Sequence, residues 1–385
     1  MSTCPRPSGR ECPISGSWPK KTAGVIELAG LTEPVPLSEN AVSDEDRSPA
    51  IDCLRAFSIL WVLFYHFVSL ALFKKGTYGV ALFFMISGYC IAISASHSRS
   101  AWHFYAKRIG RLFPALVVCS LATVTLKHMV PELIQANRLV SWGDMFYSWI
   151  ALPTLNVLNV GYRLPDGTYW SLDVEFHFYA LIFAIMLVGL RNHILLTVCG
   201  YVVVEVCLLK SHQTNLVFYP FFIAGLSVAC LAERRIWRSC FGIGFAVLLD
   251  LYFLLNGFMQ PSASPIEVTR SITLWVAIAA LIAAVKIRPS PAAAKFLRPL
   301  AYVGLVSYPL YLIHFDVGII FFNWIGVPYS DTFYPRLIRF LLAPMLFIPI
   351  AGVIHAFVEL PLIKPLTRLL SDGFRIPGRG VPAVE

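Results

Sequence analysis

The chain has 385 residues, of which 57% are hydrophobic and only 14% charged, and it carries a formal net charge of +9. Soluble domains are roughly 45–50% apolar and about 25% charged, so these proportions exclude an ordinary soluble enzyme. The apolar residues come in long blocks parted by short charged connectors, the pattern expected where a lipid bilayer is the solvent.

Residues 1–50 are rich in Pro, Ser, Glu and Arg, and their one apolar stretch, Val25–Leu31, is too short for a span or a signal peptide. They read as a disordered cytoplasmic tail, followed by a membrane domain over 51–370 and a cytoplasmic C-terminal tail over 371–385. Ten predicted spans follow in order: Ile51–Leu72, Tyr78–Ala95, Leu112–Val130, Leu172–Leu190, Ile194–Leu209, Asn215–Ala232, Cys240–Phe258, Ser271–Val285, Pro299–Ile325 and Leu341–Leu360. The stretch Pro131–Tyr169, with Trp142, Trp149 and Pro153, reads as an interfacial loop. No internal repeat stands out.

With the N-terminus inside, twenty-one Lys and Arg residues fall in the inner tails and connectors and nine on the outer side, counting Lys127 at the outer end of the third span, and Arg55 within the first span completes the 31. That bias follows the positive-inside rule and predicts that both termini are cytoplasmic. The basic charge then reflects topology and predicts no nucleic-acid partner. The nine cysteines lie mostly inside apolar blocks without metal-ligand spacing, so neither a metal site nor a disulfide framework is expected.

An ionisable side chain at membrane depth costs roughly 2.5–3.5 kcal/mol on insertion scales, and such residues usually face a partner or a cavity. In the first span Arg55 and His66 stand eleven residues apart, about 16 Å along a helix and about three turns, so they share one face. Taken singly, Arg55 could be an interfacial anchor paired with Asp52, and His66 a neutral core histidine. Together they suggest a buried polar path. Lys107, Arg108 and Arg111 precede the third span and suit either orientation or the gripping of phosphates. At the fourth span Ser171 is a candidate N-cap and Asp173 favours the positive helix end, while Glu175 lies deeper and suits general acid–base work. In the ninth span Pro309 should kink the helix, and His314 falls in the outer half at the level of His66. Glu205 and Asp250 are lone acids in other spans.

These segments, in this order, resemble the acyltransferase 3 family. The resemblance is carried by Asp52-x-x-Arg55-Ala56 with Tyr65-His66, Gly79-Val80-Ala81-Leu82-Phe83-Phe84-Met85-Ile86-Ser87-Gly88-Tyr89, Tyr105-x-x-Arg108-x-x-Arg111-Leu112-x-Pro114, Trp170-Ser171-Leu172-x-Val174-Glu175-x-x-Phe178-Tyr179, Ser307-Tyr308-Pro309-Leu310-Tyr311-Leu312-x-His314, and Glu359-Leu360-Pro361. It covers roughly 51–370. It implies an all-α integral membrane fold of about ten helices, seated in a bacterial inner membrane. It also implies an acyl-CoA cosubstrate, usually acetyl-CoA, with no permanently bound cofactor, and a cell-surface or secreted glycan or glycolipid as acceptor. Candidate acceptors are an O-antigen unit, an exopolysaccharide repeat or a lipochitooligosaccharide. Lys107 stands where such proteins often have a further Arg. No added esterase-type domain is expected after the membrane part.

On this resemblance Arg55, Arg108 and Arg111 are the expected acyl-CoA contacts. His66, Glu175 and His314 are the expected catalytic groups, with Glu175 orienting a histidine, and Ser87 and Tyr308 are candidate donors to a developing oxyanion. Two rivals use the same residues differently. A transporter or exchanger would lean on Glu205, Asp250 or Asp316, and a non-catalytic sensor would need none of the chemistry.

Overall fold

The computed structural model describes residues 48–68, 77–156, 160–208, 214–256, 265–287, 289–327 and 332–372. The predicted tails lie almost wholly outside these residues, as does the end of the first predicted span. All regular structure among the described residues is helical. Six helices are long and apolar enough to cross a membrane: α1 Pro49–Val68, α2 Thr77–Ser96, α3 Ala101–Met129, α5 Trp170–Leu187, α8 Ile236–Leu255, and a continuous rod from Phe333 to Ser371. The rod consists of α13 Phe333–Ile354, a π-helical turn His355–Glu359 and α14 Leu360–Asp372. Further helices complete the bundle: α4 Trp142–Thr154, α6 Ile194–Val203, α7 Tyr219–Ala232, α9 Pro265–Lys286, α10 Pro291–Leu305, α11 Ser307–Ile313 and α12 Asp316–Trp324.

Six long spans, or seven when α10 and α11 are taken as one bent span, stand against the ten expected. Every predicted span has a helix on it, but several are short. The fifth is only α6 and a π-helical turn, Val204–Leu208. The predicted ninth span is three helices, with a 45° bend between α10 and α11. Pro309 accounts for this break, because its ring excludes the carbonyl four residues earlier, Leu305, which is the last residue of α10. The predicted loop over Pro131–Tyr169 contains α4, which Ser141 caps by accepting from the Asp144 N–H at 3.0 Å. At 13 residues, about 20 Å, α4 is too short to span. Ser171 is not the cap of α5. It lies inside the first turn, with its hydroxyl 2.7 Å from that of Tyr311.

The helices at the centre approach closely because glycines allow it. A Cβ on Gly225 of α7 would lie 2.1 Å from the Met85 carbonyl oxygen, and one on Gly88 of α2 would lie 2.3 Å from that of Phe222. Around this contact Phe84, Phe178 and Phe222 stack at centroid distances of 4.8 and 4.0 Å. The helix α2 is apolar all round, as a helix enclosed by neighbours should be. Outward faces carry exposed apolar side chains such as Leu248, Leu255 and Met345, which suits lipid and not water.

Candidate active site

Two cavities lie between these helices. The smaller, about 100 Å³, is lined by Arg55, Arg108, Arg111, Ser87, Glu175 and Tyr308, among others. Arg55 reaches it from α1, where its Nη1 donates to Asp52 Oδ1 at 2.8 Å and its Nη2 to Cys90 Sγ at 3.1 Å. The local pair with Asp52 is therefore real, and a second contact ties the guanidinium to α2. Arg108 is buried between the rings of Phe104 and Tyr179, at 5.6 and 5.7 Å. Its Nη2 donates to the Cys90 carbonyl at 3.3 Å, and its Nε has no partner.

Glu175 is held from two sides. The Ser87 hydroxyl donates to its Oε1 at 2.8 Å, and the Tyr179 hydroxyl donates to the same oxygen at 2.5 Å. Tyr308 donates to the Leu112 carbonyl at 2.9 Å. Three guanidinium groups against one carboxylate leave this cavity with a surplus of positive charge, which suits a multiply charged anion such as a phosphate.

The larger cavity, about 780 Å³, is lined by His66, Tyr65, Tyr162, Trp170, Phe315 and a cluster of charges. This is the size range of small-molecule sites. The His66 ring stands 4.2 Å from the Phe315 ring and 5.2 Å from that of His314. His314 is fully buried, and its Nδ1 lies 2.8 Å from the Tyr311 carbonyl. A carbonyl can only accept, so Nδ1 carries the proton and Nε2 is the basic nitrogen. That Nε2 has no hydrogen-bond partner among the described residues.

Beside the histidines is a charge network that sequence reasoning missed. Asp316 pairs with Lys127 Nζ at 2.6 Å and with Arg138 Nη1 at 2.7 Å. Lys127 also donates to the carbonyls of Arg138 and Pro165 at 3.0 and 2.7 Å. Asp166 accepts from the Asp316 backbone N–H at 2.9 Å and from the Thr168 N–H and hydroxyl at 2.8 and 2.7 Å. Burial, and secondly the Asp316 carboxylate, push the Asp166 carboxyl above the ordinary carboxylate range. Lys127 and Arg138 had served only as connector charges in the topology argument. The signal available was Lys127 itself, a lone cation at the end of a long apolar helix.

Val80 and Tyr311 line both cavities. Tyr311 is fixed there by its hydroxyl, which donates to the Thr168 carbonyl at 2.9 Å and meets Ser171 Oγ at 2.7 Å. The predicted site residues thus divide into two groups. Arg55, Arg108, Arg111, Ser87, Glu175 and Tyr308 share the small cavity, while His66 lines the large one with His314 buried against it. The partners of Glu175 Oε1 are Ser87 and Tyr179, on the arginine side. The hydroxyls of Ser87 and Tyr308 are likewise committed, to Glu175 and to Leu112.

An all-helical membrane-type bundle with an arginine cavity and a histidine cavity defines a class before any comparison is made. The family model described as an acyltransferase domain matches residues 48–356, and the chain belongs to that family. Among curated relatives, the O-acetyltransferase OatA of Staphylococcus aureus is 27% identical over 82% of this chain and 57% of its own length. The peptidoglycan O-acetyltransferase OatA of Listeria monocytogenes is 24% identical over 82% of this chain and 56% of its own length. The putative peptidoglycan O-acetyltransferase YrhL of Bacillus subtilis is 24% identical over 82% and 54%. The chain therefore spans little more than half the length of the relatives it matches. No solved structure matches it significantly.

Proposed function

We propose that this protein is a multi-pass membrane O-acetyltransferase that takes an acetyl group from acetyl-CoA at the small cavity and delivers it to a glycan hydroxyl in the large one. The observation that carries the reading is the shared wall at Tyr311 and Val80, which joins three arginines on one side to a histidine on the other. In this reading ten spans, several of them short or bent, put both termini and the small cavity on the cytoplasmic side, as the charge bias suggests. The bacterial inner membrane is the expected site, and the region before the bundle is a cytoplasmic tail.

Arg55, Arg108 and Arg111 attract the phosphates of the donor, whose pantetheine arm passes Tyr311 toward His66. The imidazole of His66 takes the proton of the acceptor hydroxyl as the oxygen attacks the thioester carbonyl. The new C–O bond forms, the C–S bond breaks, and the proton passes to the departing thiolate to give free CoA. His314, with its Nε2 basic and unoccupied, receives or relays that proton. Glu175, fixed by Ser87 and Tyr179, holds the arginine side in register. The names of the Listeria and Bacillus relatives make peptidoglycan the first acceptor to test, ahead of an O-antigen, exopolysaccharide or lipochitooligosaccharide.

The test uses the full chain in lipid nanodiscs with radiolabelled acetyl-CoA and soluble peptidoglycan fragments, with chito-oligosaccharides in parallel. Acetyl transfer to one of these, lost in His66→Ala while that variant still inserts and still binds acetyl-CoA, is the expected result. Wild-type transfer by His66→Ala overturns the role of His66. Transport of a solute without acetyl-CoA consumption overturns the enzyme reading altogether.

A further inference from the structure

The proposed chemistry needs the His66 imidazole held in one orientation, yet no hydrogen bond to it is present among the described residues. Its neighbours are rings: Tyr65 at 4.7 Å, Phe315 at 4.2 Å and His314 at 5.2 Å between centroids. Of these, Phe315 is held from two sides by residues of other segments. It occupies the break between α11 and α12, with its backbone still in the right-handed helical region (φ −82°, ψ −74°). The Arg138 guanidinium lies over its ring at 4.7 Å, a cation–π contact. On another side is Gly167, so close that a Cβ there would stand 2.9 Å from Phe315 Cε1.

Each holder of Phe315 is itself anchored. Arg138 is paired with Asp316, the residue that follows Phe315, and Asp316 is paired with the buried Lys127. The Asp316 backbone is tied to Asp166, which caps the turn carrying Gly167 and Thr168. The cluster thus pins residue 316, the guanidinium above residue 315 and the loop beside it. Arg138 and Gly167, from two separate stretches of the chain, thus flank the ring, and Lys127 at the end of α3 anchors the Asp316 beside it.

We propose that Phe315 is the positioning residue of His66, and that the Lys127–Asp316–Arg138 cluster, with Gly167, fixes the Phe315 ring against it. This rests on His66 being the base that meets the acceptor. Phe315 does not touch the reacting atoms. It restricts the rotation of the imidazole and closes one wall of the acceptor cavity. The donor side is untouched, because neither Phe315 nor any member of the cluster lines the arginine cavity.

Three variants of the full chain in nanodiscs test it, with acetyl-CoA as donor and the fragment found to accept in the wild type. Phe315→Leu removes the ring, Phe315→Tyr keeps it, and Gly167→Ala leaves every partner in place while pushing the ring aside. The expected result is a kcat loss on the order of 10²-fold in Phe315→Leu, the scale of a misplacement near 1 Å. A loss in the same direction is expected in Gly167→Ala. Phe315→Tyr should restore most of the rate, and KM for acetyl-CoA should hold constant in all three. Wild-type kcat in a well-folded Phe315→Leu overturns the proposal, as does a Tyr variant as slow as the Leu one. If Phe315→Leu fails to fold, Gly167→Ala decides, and wild-type kcat there overturns it. A wild-type chain that transfers no acetyl group fails the enzyme reading instead, which is a separate outcome.

Discussion

The two cavities that meet at Tyr311 handle charge in opposite ways. In the small one Arg108 is buried with a single 3.3 Å hydrogen bond and an Nε lacking any partner. In the large one Asp316 and Lys127 are equally buried, but each is matched by opposite charge and hydrogen bonds at 3.0 Å or less. A buried cation that the protein leaves under-satisfied costs free energy until something anionic arrives. A neutralised cluster costs little and attracts little, and its effect is to fix geometry. The first arrangement suits a phosphate-bearing donor, and the second suits a cavity wall that must not move.

The sharpest way to break this contrast is to remove one cation from each side. Lys127→Met strips Asp316 of its closest partner and leaves two carbonyls without a donor, so the expected loss of stability is about 3 kcal/mol, the low end for a broken buried pair because Arg138 remains. Arg108→Met should change stability by less than about 1 kcal/mol, since the loss of one long hydrogen bond and two long cation–π contacts is offset by removal of an under-satisfied buried charge. Thermal unfolding of the detergent-solubilised variants measures both. Equal destabilisation would erase the distinction. In activity the order reverses. Arg108→Met should raise KM for acetyl-CoA about 10- to 100-fold, the value of a hydrogen bond to a charged group of about 1.5–3 kcal/mol, whereas the Lys127 variant should leave that KM where it was.

The arginine side was far more legible in the sequence than the charge network. Arg55 stands out because a cation inside an apolar span has few innocent explanations, and the i,i+11 relation to His66 follows from helix geometry alone. Arg108 and Arg111 belong to a compact motif. The network is different in kind, because Lys127, Arg138, Asp166 and Asp316 come from positions up to 189 residues apart and only Lys127 is unusual by itself. Opposite charges that pair only after folding leave no periodic trace. Glu175 shows a second limit. The resemblance groups it with the histidines, but a long guanidinium extends well beyond its own Cα, and the arginine side chains reach the cavity that Glu175 lines. The broken ninth span was readable from Pro309, though the break falls four residues before it, at the carbonyl the ring excludes.

A smaller effect tests whether the large cavity's cluster is as rigidly neutral as its distances suggest. Asp166 lies in the loop outside the spans, and its carboxyl is raised above the ordinary range by burial and by Asp316. The folded protein then holds a proton that the unfolded chain has already released, so stability falls as pH rises from the ordinary carboxylate range toward neutrality. The slope from one such group cannot exceed about 1.4 kcal/mol per pH unit. Asp166→Asn should flatten this part of the stability–pH curve relative to wild type. Parallel curves for the two proteins would show that Asp166 stays ionised throughout.

The smallest expected effect lies on the arginine side, where positioning is redundant. Ser87 and Tyr179 both donate to Oε1 of Glu175, so Ser87→Ala leaves the carboxylate held by the shorter bond. Because the Tyr179 bond remains, loss of the Ser87 one should cost about 0.5–1.5 kcal/mol, a roughly two- to ten-fold fall in kcat/KM. Tyr179→Phe should cost more, since the ring also faces Arg108. The double variant should cost more than the sum of the two, because only then is Glu175 free to swing toward the guanidinium groups and neutralise the cavity the donor needs. Strict additivity in that cycle would mean the two hydroxyls act independently, and Glu175 would then have no positioning role to lose. Asp316, by contrast, bridges two cations through separate oxygens with no second residue to take over. One side of the molecule tolerates loss of a contact and the other does not, which follows from whether the held group must bind a ligand or stay still.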